Sequence, residues 1–193
     1  MEIINDVFRI LKSYSYLGEM KADNGTLLIG KAPHIAPLAW LHRIFAPLTN
    51  AQIDGLGIKL GMNIPSSYRN FLKHSNGLGV FNTNLCLYGL RTINNRTIEA
   101  SYQPFDILDV NVLERPMNSK NSFLYIGSYS WDLSRLYIDA DTNKVYLSSS
   151  RDNATPKYEW INFDTMLETE IKRIITLFDD KGVKVIKGST LPV

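Results

Sequence analysis

The chain has 193 residues, 45% of them hydrophobic and 21% charged, and a formal net charge of +2. That is the composition of one ordinary globular domain, or of one domain with an extension, able to bury a core without metal or disulfide staples. The small net charge argues against nucleic acid as a direct partner. Cys86, the single cysteine, excludes an internal disulfide and suits a reducing compartment.

Ile3, Ile4, Val7, Phe8, Ile10 and Leu11 recur at helical spacing and predict an N-terminal helix ending near Ser13–Tyr16. Asp6, Arg9 and Lys12 interrupt its apolar residues, so no secretory leader is expected. No run reaches the ~18 apolar residues of a spanning helix. These features point to a cytoplasmic protein without a membrane role. The Asn-x-Ser/Thr sequences at Asn24, Asn95 and Asn153 are accordingly read as chance. Leu27–Ile29 reads as a short strand. Pro37 opens and Pro47 closes an expected helix, with Leu38, Leu41, Ile44, Phe45 and Leu48 as its apolar face and Trp40 beside it. Thr49 and Gln52 form a capping box, Leu48 and Ile53 a hydrophobic staple, and a helix from about Asn50 to Leu60 follows.

Pro65 suits the first turn of the next helix, because that amide has no intrahelical acceptor. Ile64, Tyr68, Phe71 and Leu72 share one face of it, and Asn76-Gly77 is expected to stop it. Leu85–Leu90 reads as a strand. Ile107–Leu113 fits either a helix end or a strand. Ser122–Ile126 is a buried strand that Gly127 is expected to end. Arg135–Asp139 and Lys144–Ser148 flank the polar turn 140–143 as an antiparallel hairpin. Glu159–Ile161 is a last short strand. Asn162 or Asp164 then caps a long helix with Phe163, Met166, Leu167, Ile171, Ile174, Ile175 and Phe178 on one face, ended by Gly182. Val183–Ile186 is a possible added strand. Consecutive strands followed by a terminal helix argue for an α+β fold with a central antiparallel sheet flanked by helices.

Catalytic and metal signatures are weak throughout. Asp139, Asp141 and Asn143 open like a calcium loop, but Lys144 and Ser150 occupy the positions that need Gly and Glu, and a hairpin turn explains the same residues. His34, His42 and His74 have no ligand spacing. Cys86 sits in an apolar strand, where a thiol is usually a small core residue. Gly77-Leu78-Gly79 follows a helix instead of preceding one, which is the wrong order for a phosphate cradle. Asp179-Asp180 and the basic C-terminal residues Lys172, Arg173, Lys181, Lys184 and Lys187 read as solvated. What remains is a surface for a protein partner: Tyr129, Trp131, Asp132 and Arg135 cluster in one loop, and Tyr, Trp and Arg are enriched at binding hot spots. For Trp131 a place in the core under the sheet is an equal alternative.

The run Leu56, Gly57, Ile64, Pro65, Tyr68, Phe71, Leu72, Asn76, Gly77, Tyr88, Gly89 resembles the SMI1/KNR4 family of the SUKH superfamily. Ile126-Gly127, the turn from Asp139 to Val145, Trp160, Phe163 and Leu167 continue the likeness. Three departures stand out: Ile64 replaces the usual Leu, the spacing from Gly57 to Pro65 is a few residues longer than usual, and Tyr129–Leu133 replaces small residues. The resemblance implies a family domain over 49–180, an N-terminal helical extension over 1–48 packed on it, and a tail or added strand over 181–193. It also implies a protein that binds and neutralises a cognate toxin, often a nuclease, as bacterial members do. Fungal members, tied to control of cell-wall glucan synthesis, suggest a regulatory adaptor instead. A ligand-binding protein or enzyme with a cleft beside the sheet is the remaining alternative. No catalytic, cofactor or metal residues are assigned.

Overall fold

The computed structural model describes residues 2–95 and 97–192. Among them nine strands form one antiparallel sheet in which every strand pairs with its neighbours in sequence: β1 Glu19–Lys21, β2 Leu27–Lys31, β3 Trp40–Ile44, β4 Leu78–Val80, β5 Leu85–Leu87, β6 Phe123–Tyr129, β7 Arg135–Asp139, β8 Val145–Ser150 and β9 Asn153–Trp160. The helices are α1 Glu2–Lys12, α2 Asn50–Leu60, α3 Ser66–Leu72, α4 Ile98–Ser101 and α5 Phe163–Ile175. The sheet and its helices form the expected α+β arrangement.

Local chemistry explains the helices that were read correctly. The Thr49 hydroxyl accepts the Gln52 N–H and the Gln52 side chain accepts the Thr49 N–H, closing the capping box at the start of α2. Asn162 caps α5 by accepting the Thr165 N–H at 2.8 Å. Ile4, Val7 and Leu11 of α1 and Phe163, Met166, Leu167, Ile171 and Ile174 of α5 are buried in the same core. Tyr68, Phe71 and Phe163 meet there as an aromatic trio with ring centroids 5.2 to 5.6 Å apart.

Several expectations are corrected. The segment between Pro37 and Pro47 holds strand β3, paired with β2 on one side and β4 on the other. Its apolar residues serve both faces of the sheet, a pattern that a short run shares with a buried helix. Gly127 does not end β6. It sits beside a bulge after Tyr125, and a Cβ there would lie 2.3 Å from the Cys86 carbonyl oxygen. Glycine is needed for this close strand approach. The last strand is the eight-residue β9. Residues 109–113 form a single π-helical turn. Helix α3 ends at Leu72, before Asn76, and α5 ends at Ile175, before Gly182. Val183–Ile186 contributes only an isolated bridge between Lys184 and Phe178.

Asn76 has a different task from stopping a helix. Its side-chain amide donates to the Leu90 carbonyl at 2.7 Å, and its carbonyl oxygen accepts the Leu90 N–H at 2.7 Å. One side chain thus replaces the strand that Leu90 lacks. A Cβ on Gly89 would lie 2.3 Å from the Asn76 backbone oxygen, so this pairing requires glycine there. Asn111, in the π-helical turn, does the same for Tyr125: N–H to Oδ1 and Nδ2 to C=O, both at 2.8 Å. Between them, the Tyr68 hydroxyl donates to the Tyr88 carbonyl at 2.5 Å. Asn76→Ala leaves two backbone groups of Leu90 without partners. A loss of ~2 kcal/mol is expected in urea unfolding, and an unchanged midpoint would contradict this role.

His42 is buried among aromatic rings, 5.0 Å from Tyr14 and 4.7 Å from Phe81 between centroids. Burial pushes its imidazole down to about 3. The unfolded chain therefore takes up this proton first, so the contribution is complete above pH ~6.5 and is lost as pH falls toward the folded value. Unfolding free energy is expected to drop by about 2 kcal/mol between pH 7 and pH 5. A flat profile over that interval, measured by urea titration, would show that His42 is accessible to protons in the folded chain.

Candidate partner-binding site

The register lines up Leu28, Arg43, Gly79, Cys86, Ser128 and Arg135 as successive opposite partners across six strands. Directly opposed residues share a face, so this row points away from neither neighbour and crosses the sheet as one stripe. Residues 97–117 run along that stripe, and their Phe105 lines the concavities at both of its ends.

The loop between β6 and β7 closes one end. Its four sequence candidates divide into two pairs. Trp131 is half exposed, with the Lys184 ammonium 4.5 Å from its ring centroid. Asp132 is also exposed. It accepts the Ser134 N–H at 2.9 Å and pairs with Lys157 at 3.5 Å. Burial alone would raise the Asp132 carboxyl, but the hydrogen bonds from Ser134 and the charge of Lys157 hold it below the usual range.

Tyr129 and Arg135 are corrected as surface contacts, because both lie inside. Tyr129 is fully buried, and its hydroxyl donates to Glu170, itself buried and clamped by Arg173 at 2.6 Å. Arg173 also donates to the Thr190 carbonyl at 2.8 Å. Tyr129 therefore ties β6, α5 and the C-terminal segment together. Burial, and then the Glu170 charge, push its hydroxyl well above the ordinary tyrosine value. Arg135 is 3% exposed and lies under the loop. Its Nη2 donates to Glu114 at 3.2 Å, while Nη1 is buried with no partner among the described residues. Glu114 also accepts from Arg151 at 3.0 Å. Those hydrogen bonds, from Arg151 first and Arg135 next, hold the Glu114 carboxyl below its ordinary value.

Arg135, Glu114 and Arg151 line a cavity of about 280 Å³ together with Tyr88, Ser128 and Asp106. Phe105 and Leu133 stand on its rim, 58% and 49% exposed. Leu133 reaches this place through a positive φ of 60° in the loop, a conformation uncommon for a residue with a γ-branched side chain. Burial raises the Asp106 carboxyl, although the Leu108 N–H opposes this. The site therefore presents exposed apolar groups around a concavity that holds arginines and carboxylates.

Glu114, Arg151, Phe105 and Leu133 were not singled out in the sequence. Leu133 lay within the atypical 129–133 run and was legible as part of it. Glu114 and Phe105 fall in the segment 91–117, which has no clear periodicity, and Arg151 reaches the site only through the β8–β9 turn. Among the described residues no group of three or more His, Cys, Asp or Glu is placed to hold a metal ion. No helix among them is long and apolar enough to cross a membrane.

Fold and site together define an α+β domain whose sheet is backed by helices and flanked by a shallow charged concavity. The profile described as SMI1 / KNR4 family (SUKH-1) matches residues 47–169, and the chain belongs to that family. Its domain is consistent with an immunity-type, protein-binding role. No curated protein matches the chain.

Tyr129→Phe removes a hydrogen bond to a buried carboxylate and is expected to cost ~1.5–3 kcal/mol of stability. Trp131→Ala, at a half-exposed loop position, is expected to cost less than ~1 kcal/mol. Urea unfolding of the two variants checks the division of the loop into a buried and a presented pair, and the reverse order would refute it.

Proposed function

We propose that this chain is a cytoplasmic immunity-type protein that neutralises a toxin by binding it, with the 130–134 loop and the rim of the neighbouring cavity as the contact face. The observation that carries the reading is the pair Leu133 and Phe105, two exposed apolar side chains on the rim of a concavity that holds Arg135 and Arg151, with the exposed Trp131 in the same loop as Leu133. Apolar and aromatic anchors beside a desolvated arginine, here Arg135, are the usual makeup of an energetic centre in an interface. Family membership supports binding as the mode of action. Masking of the toxin's active site by this face is the mechanism.

The test uses the purified chain as bait in extracts of its source cell. A stoichiometric partner with a toxin domain is expected, and the purified chain should abolish that partner's activity. The Trp131→Ala/Leu133→Ala double variant should remain folded and bind at least about thirtyfold more weakly, since a hot-spot residue is worth ~2 kcal/mol or more. Undiminished binding by the double variant would move the contact elsewhere. Recovery of wall-synthesis or signalling proteins in place of a toxin would favour the adaptor role.

A further inference from the structure

The other end of the stripe holds a second cavity, of about 240 Å³, across Phe105 from the first. Its sheet wall is Arg43, Phe45, Gly79 and Cys86, and Arg91 enters from the covering segment. The stem of Arg43 crosses Gly79: a Cβ built on that glycine would lie 3.6 Å from the Arg43 Cβ. The Arg43 guanidinium has no hydrogen-bond or ion-pair partner among the described residues, and no carboxylate lines the cavity. Arg91 is fixed by backbone carbonyls, donating to Pro104 at 3.1 Å and Ala100 at 2.9 Å. Arg43 is half-buried, and burial pulls its guanidinium below its ordinary value. The nearby Cys86 thiol supplies none, since burial pushes it up to about 12.

We infer that this cavity binds a carboxylate carried on a small apolar body, with the planar Arg43 fork on the carboxylate and the body against Phe45, Gly79 and Phe105. One free guanidinium matches one carboxylate in bidentate geometry. A phosphate calls for more donors than the single unpaired fork provides, and among the other polar side chains lining the cavity Ser101 and Gln103 already donate to the Ile98 and Ile93 carbonyls. The volume is below the range of roughly 300–1,000 Å³ typical of drug-sized ligands, so the occupant is a single ring or side chain. The carboxylate comes either from a free acid or from an acidic group of a bound partner. The second source rests on the partner-binding reading above.

Phenylacetate titrated into the isotope-labelled chain is the probe, with phenylacetamide and inorganic phosphate as controls and backbone amide shifts as readout. Saturable shifts at Gly79, Cys86 and Arg91 are expected with the acid alone. Arg43→Gln should weaken binding about tenfold or more, because a hydrogen bond to a charged group is lost, and Arg43→Lys should fall between. The unfolding temperature of Arg43→Gln should be unchanged or raised, since an unpaired, partly buried charge is removed. The inference is overturned if phenylacetamide or phosphate binds as tightly as the acid, if Arg43→Gln titrates like the parent, or if no saturable shift appears at the solubility limit. Partner capture with Arg43→Gln assigns the source: lost capture gives the carboxylate to the partner, and intact capture gives it to a free acid. Should no partner be found at all, the titration still decides the cavity.

Discussion

The middle of this sheet has a backbone problem that two asparagines solve. Strand β5 is only three residues long, so the chain on either side of it has peptide groups with no strand beside them. Asn76 supplies a donor and an acceptor to Leu90, and Asn111 supplies both to Tyr125. A primary amide carries the same pair of groups as a peptide bond, which is why asparagine, and not aspartate or serine, fits both places. Buried peptide groups must be paired somewhere, and here the pairing fixes α3 and the π-helical turn to the sheet. The Tyr68 hydroxyl, the missing side chain of Gly89 and the bulge beside Gly127 all serve the same close approach.

That solution also shapes the candidate binding face. Because residues 97–117 are held to the sheet through Asn111 and the Gly89–Asp106 bridge, they lie along the cross-strand stripe without filling it. Concavities remain at both ends, each holding an arginine that comes from the sheet itself, Arg43 at one and Arg135 at the other. Rigid strands position these charges better than a loop would. The cost is desolvation, which Glu114 offsets for Arg135 and which nothing among the described residues offsets for Arg43. The two ends therefore differ chemically. One is a mixed charge cluster with an apolar rim, and the other is a cationic, apolar-floored hole.

Segments whose structure is decided by near neighbours were legible in the sequence. The Thr49–Gln52 box, the Asn162 cap, the amphipathic faces of α1, α3 and α5, and the hairpin around 140–143 all follow from residues a few positions apart. The family motif gave the order of elements. The Pro37–Pro47 segment was misread because an apolar run of that length suits a helix or a doubly covered strand equally well, and only its pairing to β2 and β4 decides. Asn76 was read as a helix stop because its neighbour is Gly77, whereas its partner is fourteen residues away.

At the loop, residue type singled out four positions but could not separate rim from interior. Tyr, Trp, Asp and Arg sit within seven positions, and the buried Glu170 holds Tyr129, the last residue of β6, inward while Trp131 stays out in the loop beyond it. By itself the sequence determined α1, α2, α3 and α5, the hairpin and the family, because these rest on local periodicity, capping, turn chemistry and a motif run. Only the tertiary structure decided which charges are buried, which groups line each cavity, and that Arg43 lacks a counterion among the described residues. Those properties depend on which distant strands lie side by side, and strand register is set by contacts far apart in the chain.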